Sequence, residues 1–149
     1  MGFEQISLKG RALRLLAGRE HSRAELEKKL AAHETEPGEM RRALDELQAK
    51  GFISEQRVVE SVIHRRAARL GAGRVKQELQ AKGISAEAMA DAVQALRGTE
   101  TERAREVWRK KFGEPATDPA GRAKQMRFLA SRGFGAEAIR RVVQGSEDD

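Results

Sequence analysis

Apolar residues recur at helical spacing along almost the whole chain, and the alternation typical of β-strands is nearly absent. Three segments carry apolar residues at positions i, i+3 and i+4, namely Met40-Ala43-Leu44, Met89-Ala92-Val93 and Ile139-Val142-Val143. This spacing places the three residues on one face of an amphipathic helix. The full pattern predicts nine short helices, over residues 7–17, 23–33, 37–50, 55–70, 73–82, 86–97, 100–112, 119–132 and 136–144.

Residues that favour helix ends stand at the boundaries of these segments. The sequence predicts capping boxes at Ser22–Glu25 and Thr99–Glu102, in which an N-cap hydroxyl and an acidic side chain satisfy free backbone N–H groups. It predicts further N-caps at Ser54, Ser85 and Asp118, with Pro119 at the first helical position. Glycines that follow apolar segments are predicted to stop helices, at Gly51, Gly71, Gly83, Gly98 and Gly133.

The helices group in threes, and the groups repeat every 49–50 residues. Four sets of apolar positions keep this spacing: Leu30, Leu79 and Leu129; Met40, Met89 and Ile139; Leu44, Val93 and Val143; Leu13, Val62 and Phe112. The turn before the second helix repeats as Ser22, Gly71 and Gly121. Self-similarity at a fixed period indicates stacked supersecondary units. We therefore predict an elongated all-α protein of three helix-turn-helix-like repeats: repeat 1 at 1–50, repeat 2 at 51–98, and repeat 3 at 99–149 with an acidic tail.

Charge then suggests a class of partner. The 149 residues include 29 Lys and Arg against 23 Asp and Glu, a formal net charge of +6. Most of the basic excess follows residue 50, once the acidic tail Glu147-Asp148-Asp149 is set aside. A basic balance favours a polyanionic partner, nucleic acid first. Nucleic acid is therefore expected to contact mainly repeats 2 and 3.

Basic side chains cluster at particular positions of those repeats. Arg65 and Arg69 are helical neighbours with no acidic residue in the same turn. Arg74 opens the next helix, whose first N–H groups favour an anion. The candidate residues for contact with DNA or a nucleoprotein filament are Arg65, Arg69, Arg74, Arg109, Lys110, Lys124 and Arg127. The structural alternative is that each is an ordinary charge on a solvated helix face.

Residues for catalysis or metal binding are not found in any recognisable arrangement. The chain has no cysteine, which excludes disulfides, thiolate zinc sites and cysteine nucleophiles. His21, His33 and His64 lack metal-ligand spacing, and Gly71-Ala72-Gly73-Arg74 is interpreted as a turn, because no strand precedes it. We expect a protein that is not an enzyme and has no cofactor.

The sequence also bears on location. No apolar run is long enough to cross a membrane, and residues Met1–Gln5 do not begin a signal peptide, so a cytoplasmic location is expected.

Three segments carry recognisable motifs: Leu16–Ser22 (LAGREHS) with Glu25-Leu26 and Lys29-Leu30; Gly51–Glu55 (GFISE) with Arg57, Gly71, Gly73–Val75, Leu79 and Lys82–Ile84; and Arg127–Phe134 (RFLASRGF). These segments resemble the RecX family of regulatory proteins, and they occur in the family's order. The chain departs from the family pattern in two places. Glu55 stands where the family commonly has Asp, and Val58-Val59 stand where it has an aromatic residue followed by Ala.

The resemblance implies a tandem-repeat helical protein that binds the RecA recombinase and its nucleoprotein filament. Family members usually inhibit strand exchange, ATP hydrolysis and the coprotease activity of the SOS response, and they are thought to lie in the filament groove. It also implies contact with DNA. The net charge of +6 and the scarcity of base-reading side chains predict that single- and double-stranded DNA bind without sequence preference, and we expect a monomer. Two alternatives stay open. One is a helix-turn-helix transcription regulator, although the absence of Asn argues against base reading; the other is a protein-interaction module with no DNA role.

Overall fold

The computed structural model describes residues 6–145 as nine α-helices and one short 3₁₀ helix, with no strand in that range. Their bounds are α1 Leu8–Gly18, α2 Arg23–Leu30, α3 Glu39–Ala49, α4 Glu55–Arg66, α5 Ala72–Ala81, α6 Ala86–Gly98, α7 Glu100–Lys111, α8 Pro119–Ser131 and α9 Ala136–Val143, with the 3₁₀ helix at Ala31–His33. The predicted all-α class and the nine helices are confirmed. The predicted acidic tail and the residues Met1–Gln5 lie outside the described residues.

The helices form three groups of three, and each group has its own apolar core. Repeat 1 contains α1–α3, repeat 2 contains α4–α6, and repeat 3 contains α7–α9. Leu30, Leu79 and Leu129 are buried at equivalent places of the second helices, as their spacing predicts. The Met40 and Leu44 sets on the third helices are buried as well. Burial of these recurrent positions supplies the hydrophobic free energy that holds each group together.

The fourth apolar set is an incorrect prediction. Val62 is buried, but Leu13 and Phe112 are half-buried, and Phe112 follows the last residue of α7. The buried apolar residues of the first helices of repeats 1 and 3 are instead Leu8, Ala12 and Ala104. The starts of the first helices are spaced unevenly, at residues 8, 55 and 100, because the connecting loops differ in length. A fixed 49–50-residue offset therefore fails for these helices.

Most predicted helix starts are confirmed. The Ser22 hydroxyl accepts from the Glu25 N–H while the Glu25 carboxylate accepts from the Ser22 N–H, which completes a capping box. Ser54, Ser85 and Asp118 cap α4, α6 and α8 with their side chains. The Thr99 box is wrong, because the Thr99 hydroxyl donates to the Leu96 carbonyl and accepts from Arg103 instead.

Glycines serve two different purposes at the helix ends. Gly51, Gly83 and Gly133 follow helices with positive φ and stop them as predicted. Gly71 does not end a helix; it is the N-cap of α5. Gly98 is the last residue of α6.

Two predicted helix bounds are also wrong. Gly121 does not lie in the turn before the second helix of its repeat, because α8 already begins at Pro119. Helix α4 also ends earlier than predicted, at Arg66, and turns follow it.

Candidate nucleic-acid interface

The basic residues at the end of α4 have an acidic partner that the local sequence does not reveal. The Glu78 carboxylate on α5 lies 3.1 Å from Arg66 Nε and 3.6 Å from Arg65 Nη2. The absence of an acidic residue from that turn therefore does not leave Arg65 without an acidic partner. Arg69 has no ion pair among the described residues and stays exposed in the turn after α4. Arg69 is therefore more available than Arg65 to bind an anion.

A basic groove lies between repeats 2 and 3, and we call it the junction groove. Its volume is about 240 Å³, and it is lined by Ala68, Arg69, Glu106, Val107, Lys110, Lys111, Phe128 and Arg132. Four of these eight side chains are cationic. The acidic one, Glu106, forms an ion pair with Arg109 at 2.7 Å. The groove therefore presents net positive charge from two repeats to the same concave surface.

Phe128 on α8 fixes part of this positive charge in place. The Arg132 guanidinium lies 4.9 Å from the centroid of the Phe128 ring, and Lys111 Nζ lies 5.4 Å from it. Phe112 packs edge-on against the same ring, with 5.4 Å between the centroids. An aromatic ring attracts nearby cations through its quadrupole. Phe128 therefore orders Lys111 and Arg132 at one end of the groove without neutralising either charge.

Of the seven predicted contact residues, the structure places Arg69 and Lys110 together in the junction groove. Arg74 donates to the Ser131 carbonyl at 2.7 Å, across the contact between repeats 2 and 3. Arg65 and Arg109 form ion pairs with Glu78 and Glu106. Lys124 and Arg127 are exposed on α8 and do not line the groove; no ion pair to either occurs within residues 6–145. Of the seven predicted residues, only Arg69 and Lys110 therefore line the junction groove, and the other five lie outside it.

Backbone contact between glycines sets the position of the two repeats that form the groove. The Gly71 N–H donates to the Arg132 carbonyl at 2.8 Å, and the Gly73 N–H donates to the Gly133 carbonyl at 3.1 Å. A Cβ atom at Gly71 would overlap the Gly133 carbonyl group and the Phe134 nitrogen. Glycine is needed here because the backbones of repeats 2 and 3 touch. The segment interpreted as a simple turn is thus the contact between the repeats.

Two charged residues that sequence reasoning missed complete this contact. Glu100, the first residue of α7, is 7% exposed. Its carboxylate accepts from the N–H of Ala72 at 2.7 Å and from the N–H of Gly135 at 3.2 Å, which lie at the starts of α5 and α9. A buried carboxylate is stabilised where helix N-termini supply free N–H groups. Glu100 therefore joins a helix of repeat 2 to a helix of repeat 3.

Arg103 supports the same contact at the C-terminal ends of two other helices, α4 and α6. Its guanidinium donates to the carbonyls of Ala67 at 2.9 Å, Leu70 at 2.7 Å and Leu96 at 2.7 Å. Burial lowers the pKa of Arg103, while the neighbouring Glu100 raises it. These carbonyls follow α4 and end α6, where a cation compensates the negative end of the helix dipole. Arg103 thus holds the C-terminal ends of α4 and α6, two of the three helices of repeat 2, to α7.

Repeats 1 and 2 meet through a partly buried ion pair. Glu25 on α2 lies 3.2 Å from Lys82 Nζ and 2.9 Å from Arg19 Nη2. Burial opposes ionisation of Glu25, but the Ser22 N–H, Arg19 and Lys82 outweigh it and lower the pKa to about 2. Close by, buried His21 contacts the Arg19 carbonyl through Nδ1 and Lys29 Nζ through Nε2. Desolvation lowers the pKa of His21, so the ring is neutral at pH 7.

Within residues 6–145, no cluster of three or more His, Asp and Glu side chains is arranged to hold a metal ion. In the same range, no helix combines the length and the apolar character that crossing a membrane requires.

The fold identifies the class of protein. Three different three-helix domains follow one another in a single chain, and contacts between neighbouring domains join them. Models of the first, second and third three-helix domains of RecX match residues 9–47, 54–93 and 99–143, respectively. The chain therefore belongs to the RecX family, as the resemblance predicts.

Whole-chain comparisons agree with this assignment. The chain is 57% identical to Regulatory protein RecX of Leptothrix cholodnii over 140 residues, which cover 94% of this chain and 89% of that protein. It is 48% identical to Regulatory protein RecX of Herminiimonas arsenicoxydans over 145 residues, which cover 97% and 96%. The crystal structure of RecX from Lactobacillus salivarius superimposes with a TM-score of 0.79 at 18% identity, covering 95% of this chain and 96% of that one. At that identity the likeness concerns the fold.

Proposed function

We propose that this protein regulates a RecA-type recombinase by binding the filament that the recombinase forms on DNA. In this proposal it acts in the cytoplasm as a monomer without catalysis of its own, and it lowers ATP hydrolysis, strand exchange and coprotease activity. The observation that carries the proposal is membership of the RecX family over all three domains. The relatives' shared name describes a regulatory protein.

The junction groove supports a role for nucleic acid in this contact. It places Arg69 and Lys110, from different repeats, on one concave surface with Lys111 and Arg132. Guanidinium and ammonium groups bind phosphates without reading base sequence. Our proposed contact residues remain Arg65, Arg69, Arg74, Arg109, Lys110, Lys124 and Arg127, with the groove pair Arg69 and Lys110 contributing most.

A cosedimentation experiment tests this interface. RecA filaments on single-stranded DNA are pelleted with the wild-type chain, with Arg69→Glu/Lys110→Glu, or with Arg41→Glu/Arg42→Glu. The second double variant makes the same change in net charge at exposed positions of repeat 1, so it controls for charge alone. We expect the groove variant to pellet at least roughly tenfold less at equal concentration, because charge reversal turns attraction into repulsion.

Two results would overturn this proposal. If the wild-type chain stays in the supernatant with filaments present, filament binding is wrong. If both double variants pellet like the wild type while circular dichroism shows native helicity, the junction groove is not the interface.

A further inference from the structure

A second concave site lies in repeat 1, where the sequence predicts no basic excess. This repeat-1 pocket has a volume of about 250 Å³ and is lined by Arg11, Arg14, Leu15, Lys29, Leu30 and His33. Its residues come from α1, from α2 and from the 3₁₀ helix that follows α2. Folding therefore brings together the cations Arg11, Arg14 and Lys29, which are up to 18 residues apart in the sequence.

The lining of the repeat-1 pocket contains no carboxylate. Other clefts of the described chain do contain glutamates: Glu106 lines the junction groove, Glu25 and Glu78 line the cleft between repeats 1 and 2, and Glu27 and Glu34 line a cleft beside α3. An acid-free cationic concavity attracts an anion because nothing within it compensates the charge.

The cations of the pocket are also available to a ligand. Among residues 6–145, the side chains of Arg11, Arg14 and His33 have neither an ion pair nor a hydrogen bond. Lys29 donates to the buried His21 ring at 3.0 Å, and that contact positions its charge without neutralising it. Glu34, which follows His33, already accepts from the Met40 N–H at 2.9 Å.

The remaining lining is aliphatic and indicates the chemistry of the occupant. Leu30 is buried and Leu15 is half-buried, and no aromatic ring lines the pocket. Single-stranded nucleic acid is typically held by rings on which its bases stack. Here an aliphatic floor lies beneath guanidinium groups, which bind carboxylates in a bidentate geometry. This combination suits a peptide that carries both carboxylates and an aliphatic side chain.

We propose that the repeat-1 pocket binds an acidic peptide segment of a protein partner, with an aliphatic side chain on Leu15 and Leu30 and carboxylates on Arg11 and Arg14. The proposed recombinase interface lies in repeats 2 and 3, so the repeat-1 pocket would be a second, separate binding surface. Its test uses peptides alone and no recombinase. If the peptide proposal fails, the proposed function is unaffected. If the proposed function fails, the peptide proposal is unaffected.

The experiment measures fluorescence polarisation of a labelled nine-residue peptide, Asp-Glu-Leu repeated three times, with the full chain at physiological salt. Two control peptides replace the acids by Asn and Gln, or the leucines by Ser. The protein variants are Arg11→Glu/Arg14→Glu and the neutral Arg11→Gln/Arg14→Gln, with Arg41→Glu/Arg42→Glu as the matched control in the same repeat. Circular dichroism checks that each variant is folded, and a labelled dT10 oligonucleotide is measured in parallel.

We expect the acidic peptide to bind at least roughly tenfold more tightly than the amide peptide, and the serine peptide to lose several-fold in affinity. The Arg11/Arg14 charge reversal should lower acidic-peptide affinity roughly tenfold or more, with a smaller loss for the Gln variant and less than about twofold for the control. Equal binding of acidic and amide peptides would overturn the proposal. So would a charge reversal that weakens dT10 alone, because that result assigns the pocket to nucleic acid.

Discussion

The Glu100 carboxylate of repeat 3 accepts a 2.7 Å hydrogen bond from the backbone N–H of Ala72, the first residue of α5 in repeat 2. The same carboxylate accepts from the N–H of Gly135 at the start of α9. One buried side chain thus caps two helices that belong to different repeats. Because α7 carries Glu100 at its own first position, the orientation of repeat 3 depends on this contact.

Replacing Glu100 with Ala should destabilise the protein markedly. The change leaves two N–H groups without their acceptor, and buried unsatisfied donors cost about 1–3 kcal/mol each. We expect urea unfolding to show a loss of about 2–4 kcal/mol in the free energy of unfolding. Glu102→Ala, at an exposed position of the same helix, should cost less than about 0.5 kcal/mol. Equal losses in the two variants would contradict the bridging role of Glu100.

Gly71→Ala tests the backbone contact between the repeats. The added Cβ would overlap the Gly133 carbonyl group, which is backbone and cannot move aside as a side chain can. We expect the midpoint of thermal unfolding to fall, with a cost of about 2 kcal/mol or more. Gly98→Ala is the matched control, because nothing lies within 4 Å of its added Cβ. That control should keep or slightly raise stability, and a matching loss there would contradict the contact model.

The free energy of unfolding should fall at acid pH because Glu25 becomes protonated. Its pKa is about 2 in the folded protein against an ordinary value of 4.5. A lowered folded-state pKa means that the unfolded chain takes up the proton first as the pH falls. The stabilisation is therefore complete above pH 4.5 and is lost progressively between pH 4.5 and about 2, with a total of about 3 kcal/mol.

Unfolding curves recorded from pH 6 to pH 3 measure this dependence. Glu25→Gln should flatten the acid limb of the stability profile, whereas Glu27→Gln, at an exposed position of the same helix, should keep the wild-type slope. An unchanged acid limb in Glu25→Gln would show that this carboxylate does not carry the effect.

Nucleic-acid binding should be weak, independent of sequence and steeply dependent on salt. The chain combines a net charge of +6 with no Asn, and its basic groove contains no recognisable base-reading set. Affinities for unrelated oligonucleotides should agree at fixed salt. For single strands, Arg69→Glu/Lys110→Glu should reduce the slope of log affinity against log salt by roughly 1–2, because two phosphate contacts are lost. A preference of more than roughly a thousandfold for one sequence would indicate a specific regulator instead.

The helices could be predicted from the sequence because their determinants are local. Ser22 with Glu25, Ser54 and Asp118 lie within three residues of the N–H groups that they cap, and the Leu30 set repeats at a fixed spacing. The Thr99 box failed because the same hydroxyl donates to the Leu96 carbonyl and accepts from the Arg103 guanidinium.

The site could be predicted only in part, because its determinants are distant in the chain. Arg69 and Lys110 were found as basic residues, but their shared groove depends on the contact of Gly71 with Gly133, 62 residues away. Glu78 forms an ion pair with Arg65 from another helix, which the sequence near Arg65 does not indicate. Spacing alone could have singled out Gly71 and Gly73, but it could not have named the backbone that they approach.

Regulation of a recombinase by this protein is best measured through the ATP hydrolysis of the recombinase. RecA is assembled on single-stranded DNA, the hydrolysis rate is recorded, and the wild-type chain is added over a range of concentrations. We expect the rate to fall in a concentration-dependent way, with Arg69→Glu/Lys110→Glu requiring roughly tenfold more protein for the same effect and Arg41→Glu/Arg42→Glu matching the wild type. A hydrolysis rate that stays unchanged at every concentration of folded wild-type protein would contradict the account.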